Sequence, residues 1–320
     1  MTRYAILGAG AIGGFFGGRL HLAGHEVHFV DRSQHEHLRR EGFVEESPEE
    51  TWRTGPLSAA PTLGELPPVD VVLVCLKTTQ TADLAAQLAP LLRPGLQVAL
   101  LQNGLEGEAR CAPQLPGATV LGAICFIACT KIAPGHLRHF AYQGIGLGEH
   151  AGEGRPAGTT PAVEARVADL AAAGVDAQAE PDLRLARWRK LVWNVPFNGL
   201  STLLDASTEE LLGAADNRAL VSDLMDEIVA GAHAECAART PGAPDRRLPA
   251  DLPARMLALT DRMPPYPTSM KVDFDHGRPL EVEAVLGEPV RAAAAAGCEL
   301  PRARMLHRAV AFLDRRARGA

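Results

Sequence analysis

The chain has no apolar run as long as the roughly eighteen residues that a membrane-spanning helix needs, so such a helix is excluded by length. It has no basic cluster long enough to follow a phosphate backbone. Net charge is −6, RLARWRK at 184–190 is the densest basic stretch, and RRARGA at the end reads as a short solvated tail. Nucleic-acid binding is therefore not expected. The start of the chain lacks the basic, apolar and small-residue order of a secretory signal. Cysteine is scattered: Cys75, Cys111, Cys125, Cys129, Cys236 and Cys298, several inside apolar runs such as VVLVCLK and GAICFIAC. Free buried thiols in a reducing cytoplasm are the plain expectation. Cys125 and Cys129 form C-x-x-x-C, but no second ligand pair lies near them. The pairs His35/His37 and His136/His139 likewise lack partners at ligand spacing, so no metal site is expected.

What is present describes a globular protein. Hydrophobic residues make up 47% and charged residues 22% of 320, which argues against disorder and, at this length, for two domains. Residues 3 to 31 form one complete unit. RYAIL is a short apolar run, GAGAIGG follows at once, FFGGRLHLAGH has a helical pattern, and EVHFVDR is a second apolar run. Strand, glycine turn, helix and strand in that order, with Gly8, Gly10 and Gly13 in G-x-G-x-x-G, predict a dinucleotide site. Gly8 permits the turn, Gly10 lets a pyrophosphate approach the backbone, and Gly13 lets the helix pack on the strand. The backbone of Ala11 and Ile12 would open the helix, whose N-terminus favours an anion. Asp31 ends the second strand, 18 residues after Gly13, where an acidic residue would take the ribose hydroxyls of NAD.

Further along, 45–68 reads as a strand or two with loops. Val71 to Leu76 is a continuous apolar run, as expected of a parallel strand buried on both faces, and LQVALLQNG is another. Helices are expected after each. The stretch 119–148 reads as two antiparallel strands around Pro134-Gly135, at an edge of the sheet. From Arg184 onward only helical patterns remain, including one long pattern from STEELL to AECAAR. The fold class is thus α/β, with an N-terminal Rossmann-type doubly wound sheet over 1–180 and an all-helical C-terminal domain over 181–320, the boundary falling near 178–184. Alanine-rich apolar helices near 216–239 suggest a homodimer.

Ligands of such sheets bind at the C-terminal ends of the strands, where Asp31-Arg32, Lys77 and Asn103 stand. Each also fits an ordinary surface loop. A sharper pattern is KLVWNVPFN, in which Lys190, Asn194 and Asn198 recur every four residues and share one helical face. Pro196 removes one backbone N–H nearby. The pattern by itself leaves two readings open, a solvated polar stripe or a polar stripe that faces a site.

GAGAIGG, VCLKT, LQNG, RWRKLVWNVPFNGLS and TSMKVDFDHGRPLEVEAVLG stand in the order and rough spacing of the ketopantoate reductase family, which the chain resembles over nearly its whole length. That resemblance implies a Rossmann domain plus a helical domain, with a 2-keto acid reduced in the cleft between them. Lys190 matches the catalytic lysine that polarises the ketone and donates a proton. Glu281 matches the carboxylate that binds the substrate hydroxyl and supports the lysine. Asn194, Asn198 and Ser269 match substrate contacts, Asn103 the asparagine at the cofactor–substrate junction, and Lys77 the lysine near the cofactor. A cation held against the carbonyl oxygen stabilises charge as hydride arrives, and a lysine can hand over its proton.

This chain departs from the family pattern in two places. Leu286-Gly287 stands where Asn-Gly is common. At the end of the second strand, Asp31 favours NAD, whereas Arg32 follows where the family often places an arginine for the 2′-phosphate of NADP. NADP is the expected cofactor on family grounds, with NAD the alternative because of Asp31. The expected function is reduction of 2-dehydropantoate to pantoate in pantothenate and coenzyme A synthesis, by a cytoplasmic homodimer whose partner is a small keto acid. One alternative is an NAD-dependent D-2-hydroxyacid dehydrogenase of the mandelate type, for which Asp31 and a pocket reshaped by Tyr266 would speak. Another is a non-catalytic nucleotide-binding regulator, against which the joint presence of Lys190 and Glu281 argues.

Overall fold

In a computed structural model the chain divides into two compact units, and the structure describes residues 1–152, 154–241, 246–263 and 267–319. Tyr266 lies outside the described residues. Unit 1 holds residues 1–102, 107–152 and 156–183, and unit 2 holds 103–106, 154–155 and 184–319. The units are therefore not two contiguous stretches: four residues after the end of a sheet strand, 103–106, fold with the helical unit.

Unit 1 is built on one sheet. Its strands are β1 (Arg3–Leu7), β2 (Glu26–Val30), β3 (Val44–Glu46), β4 (Thr51–Arg53), β5 (Ser58–Ala60), β6 (Val71–Val74), β7 (Gln97–Leu100), β8 (Thr119–Ala133), β9 (His136–Glu149) and β10 (Asp176–Ala179). The order is β4-β3-β9-β8-β7-β6-β1-β2-β5, with β10 also on β9. Every pair from β5 across to β8 is parallel. The helices are α1 (Ala11–Leu22), α2 (His35–Arg40), α3 (Leu84–Leu88), α4 (Gly107–Cys111) and α5 (Pro161–Ala172).

The central strands show no polar alternation because both sheet faces are covered. Tyr4, Ile6, Val71 and Leu73 point into one core with Phe15, Phe16 and Leu20 of α1 and Val163 and Leu170 of α5. Ala5, Leu7, Val72 and Val74 point into the other, with Leu84 and Leu88 of α3. The chain leaves β1, pairs β2 on one side and returns as β6 on the other. The glycine turn after β1 therefore sits at the topological switch point of the sheet.

The expected edge at 119–148 needs correction. β8 and β9 are antiparallel, but they are not the edge. β9 is long enough to carry two more strands, β3 along His136–Arg138 and β10 along Gly144–Leu147, both parallel.

Unit 2 contains α6 (Leu183–Leu204, its first residue counted with unit 1), α7 (Thr208–Gly213), α8 (Ala215–Arg239), α9 (Leu252–Thr260), α10 (Ser269–Asp275), α11 (Glu288–Ala295) and α12 (Pro301–Ala317). A π-helical turn, Glu283–Gly287, leads into α11. The single long helix expected over 207–239 is two. Ser207 and Glu210 form a reciprocal capping box that starts α7, and Ala214 turns extended before α8. α6 runs unbroken through Pro196. Its Trp188, Leu191, Val192, Val195 and Leu200 pack with Val221, Leu224, Met225 and Ile228 of α8 and Leu306 and Val310 of α12. The apolar stripe of α8 packs inside its own unit. Among the described residues no helix is long and apolar enough to cross a membrane.

Candidate active site

The glycine turn is held from behind. Gly8 adopts φ +98°, with its amide donating to Val30 O at 2.9 Å. At Gly13 an added Cβ would lie 2.0 Å from the carbonyl oxygen of Gly8, so any side chain would force α1 off β1. Gly10 differs, since a Cβ there meets nothing within 4 Å. Gly10 precedes α1 and supplies no side-chain cap, and the first helical amide bond runs from Gly14 N to Gly10 O at 2.8 Å. The N–H groups of Ala11, Ile12 and Gly13 thus precede the helix's own bonding and face the space beside Gly10. This cradle fits a pyrophosphate.

Asp31 turns inward rather than standing free. Its Oδ1 accepts from Ser33 N at 2.9 Å, Ser33 Oγ at 2.7 Å and Gln34 N at 3.0 Å, and its Oδ2 from Ala9 N at 3.2 Å. Burial raises its pKa, but the bonds from Ser33 and Gln34 outweigh burial and hold the carboxyl below its ordinary value. Gln34, which is buried, donates to Ala9 O and accepts from Gly135 N at 3.0 Å. Gln34 escaped the sequence reading because nothing in RSQHEH marks it as other than a surface helix residue. Arg32 is exposed. Lys77 follows β6 and a short intervening turn, in extended conformation and half-buried.

The remaining expected residues lie in unit 2, Asn103 among them. Asn194 is 5% and Asn198 3% exposed, so the polar stripe of α6 is not a solvated face. Lys190, one turn before Asn194, is half-buried. Asn103 Nδ2 donates to Glu281 Oε2 at 3.3 Å, and Asn103 Oδ1 accepts from Asn194 Nδ2 at 3.4 Å. Glu281 is itself buried, immediately before the π-helical turn. One turn beyond Asn194, Asn198 Oδ1 accepts from Met270 N at 3.0 Å and Ser269 Oγ at 3.3 Å at the start of α10. Ser201 continues the stripe, bonding Thr268 Oγ1 at 2.6 Å. It lies three residues past Asn198 and was legible from helical spacing.

Two lines of detail separate neighbouring candidates. Glu283 pairs with Arg291 at 2.7 Å and His307 at 2.8 Å, whereas Glu281 takes Asn103. Leu286, where the family pattern often has asparagine, is fully buried in the core of unit 2. Among the described residues no cluster of three or more His, Cys, Asp or Glu is placed to hold a metal.

The family model for ketopantoate reductase PanE/ApbA matches residues 4–152, and the ketopantoate reductase PanE/ApbA C-terminal model matches residues 182–314. The 2-dehydropantoate 2-reductase of Nostoc sp. is 39% identical over 316 residues, 99% of this chain and 96% of that one. The crystal structure of 2-dehydropantoate 2-reductase from Geobacter metallireducens superposes with TM-score 0.88 at 35% identity, covering 98% of this chain and 99% of that one. The ternary structure of D-mandelate dehydrogenase with NADH and anilino(oxo)acetate superposes with TM-score 0.83 over 99% of both chains, and at 20% identity it shows a shared fold. The chain belongs to the ketopantoate reductase family, a family of NAD(P)-dependent oxidoreductases.

Proposed function

We propose that the protein reduces 2-dehydropantoate to pantoate with NADPH, using Lys190 as proton donor. The observation that carries this reading is the Asn194–Asn103–Glu281 chain of bonds on the Lys190 side of α6. It gathers two amides and a carboxylate one helical turn from the half-buried Lys190, in surroundings where polar groups need partners. A bound nicotinamide supplies the hydride. The ammonium of Lys190 stabilises the oxygen as negative charge grows on it and then transfers a proton there, so that the carbonyl becomes a secondary alcohol. Glu281 accepts a substrate hydroxyl and opposes the lysine with its charge. Asn198, whose carbonyl oxygen is engaged by α10, retains its amide N–H groups for the acid, and Ser269 stands beside it.

NADPH is favoured over NADH by the state of Asp31. A carboxylate that already accepts five bonds from the loop and the glycine turn is a clamp, and it is poorly free to take ribose hydroxyls. The exposed Arg32 beside it offers a guanidinium to a 2′-phosphate. Lys77, at the end of β6, adds positive charge on the cofactor side. The six cysteines, none in a disulfide, suit a reducing cytoplasm.

The deciding assay is steady-state oxidation of NADPH and of NADH with 2-dehydropantoate. Turnover with NADPH well above that with NADH is expected. Turnover of an aryl 2-keto acid with NADH, and none of 2-dehydropantoate, would instead establish the mandelate-type reading. Tight NADPH binding with no keto acid reduced would establish the regulator.

A further inference from the structure

Segment 103–106 leaves the sheet strand β7 yet belongs to the helical unit, and it is gripped there on several sides. Asn103 bonds Glu281. At Gly104, φ is +100° and an added Cβ would meet Ala284 Cβ and Glu288 Oε2, both at 2.9 Å. Leu105 N and Glu106 N both donate to Glu288 Oε2, at 2.7 and 2.9 Å. Residues 281, 284 and 288 thus form one face against which the segment lies, at the spacing of a helical stripe through the π-helical turn. Arg184 closes the opposite side. Its Nη1 donates to Leu105 O at 2.6 Å and its Nη2 to Glu106 Oε1 at 2.7 Å. Arg184 is in turn fixed by the buried Glu235, which also accepts from Trp188 Nε1 at 3.1 Å.

Glu288 is 4% exposed. A buried carboxylate costs free energy unless it is well bonded, and here its partners include two successive backbone amides of the segment that begins with Asn103. Asn103 has two donors and one acceptor to align at once, toward Glu281, Asn194 and a ligand, so a shift of its backbone would misalign all of them.

We propose that Glu288, with Arg184 behind it, is a positioning residue that sets the backbone of 103–106 and thereby aims the Asn103 amide. This deepens the reading of Asn103 as the residue at the cofactor–substrate junction and rests on it. Glu288 touches no reacting atom; it acts through Asn103.

A double-mutant cycle tests the link. Glu288→Ala is expected to lower kcat/KM for 2-dehydropantoate by about 10²-fold, the scale of a small misplacement in a site, while the Kd for NADPH rises no more than it does in Asn103→Ala. Glu288→Gln, which keeps one acceptor oxygen, should recover most of that loss. Combined with Asn103→Ala, Glu288→Ala should add little to the loss that Asn103→Ala causes alone. Fully multiplicative losses would overturn the inference, as would a Glu288→Gln variant no better than Glu288→Ala at equal thermal stability. Amide hydrogen exchange reads the same link without turnover. Leu105 and Glu106 should exchange faster in Glu288→Ala, and less so in Glu288→Gln, while α8 keeps its protection. Unchanged exchange at those two amides overturns the inference even if 2-dehydropantoate proves not to be the substrate, an outcome that would defeat the proposed reaction separately.

Discussion

At the scale of single residues, chemistry and architecture divide between neighbours. Lys190 is expected to act on the reacting oxygen, so Lys190→Ala should lower kcat by about 10²–10³-fold or more, with NADPH affinity nearly intact. Equal loss of cofactor affinity, measured by fluorescence titration, would show that its role lies elsewhere. Arg32 and Asp31 should separate in the same way. Arg32→Ala removes a charge-assisted bond, so KM for NADPH should rise about tenfold or more while KM for NADH changes little. Asp31→Ala should weaken both cofactors, because the carboxylate ties the loop 32–34 to Ala9 of the glycine turn. Improved use of NADH's competitor alone, as simple charge repulsion would give, would mean that the clamp is unimportant. The carboxylate of Asp31 sits below its ordinary 3.8, so its contribution is complete above that pH and is lost as pH falls through the lower folded value.

At the scale of elements, α1 and the β3–β9 junction carry the clearest consequences. Gly13→Ala would set a methyl against a backbone carbonyl that no rotamer can move aside. The expected result is a loss of about 1–3 kcal/mol in urea unfolding together with weaker NADPH binding. Normal stability and affinity would mean that α1 can lift off β1 without cost. On β9, His139 Nδ1 lies 3.1 Å from the fully buried Glu45 of β3. Burial lowers the imidazole pKa, but Glu45 and the carbonyl of Tyr142 outweigh it, and the net shift is upward from 6.5. A raised value means that the pair stabilises fully below pH 6.5 and that this contribution fades as pH rises through the folded value. The Tm deficit of His139→Gln relative to the parent should therefore be largest near pH 6 and shrink at alkaline pH. A deficit independent of pH would show that the ring is held neutral.

At the scale of the molecule, the residues proposed for the dinucleotide, Asn103 apart, all fold in unit 1, and those proposed for the keto acid fold in unit 2. Saturation with NADPH at about a hundred times its Kd should raise the melting midpoint of the transition that includes unit 1 by about 5–10 °C, and NADH at equal concentration by less. Equal shifts from both cofactors would remove the argument from Arg32.

How much of this was legible in the chain follows from the range of the forces involved. Local steric and burial rules sufficed for the glycine turn, the both-faces-buried strands β6 and β7 and the shared face of Lys190, Asn194 and Asn198, because each is written within a few consecutive residues. Family resemblance, and not spacing, supplied the roles expected of Glu281 and Ser269. The break at Ala214 and the inner position of β8 and β9 were missed because an apolar helical pattern continues across the first and strand neighbours are non-local in the second. Only the tertiary structure decided that Asp31 serves the loop rather than standing free, that Gln34 joins the polar residues around it, that the apolar face of α8 packs in its own core, and that 103–106 folds with the helices under Glu288 and Arg184. Those outcomes depend on which donors meet which acceptors from positions as much as 183 residues apart, as in the bond from Leu105 to Glu288. A one-dimensional pattern can show that a polar group needs a partner, but the partner is chosen by packing.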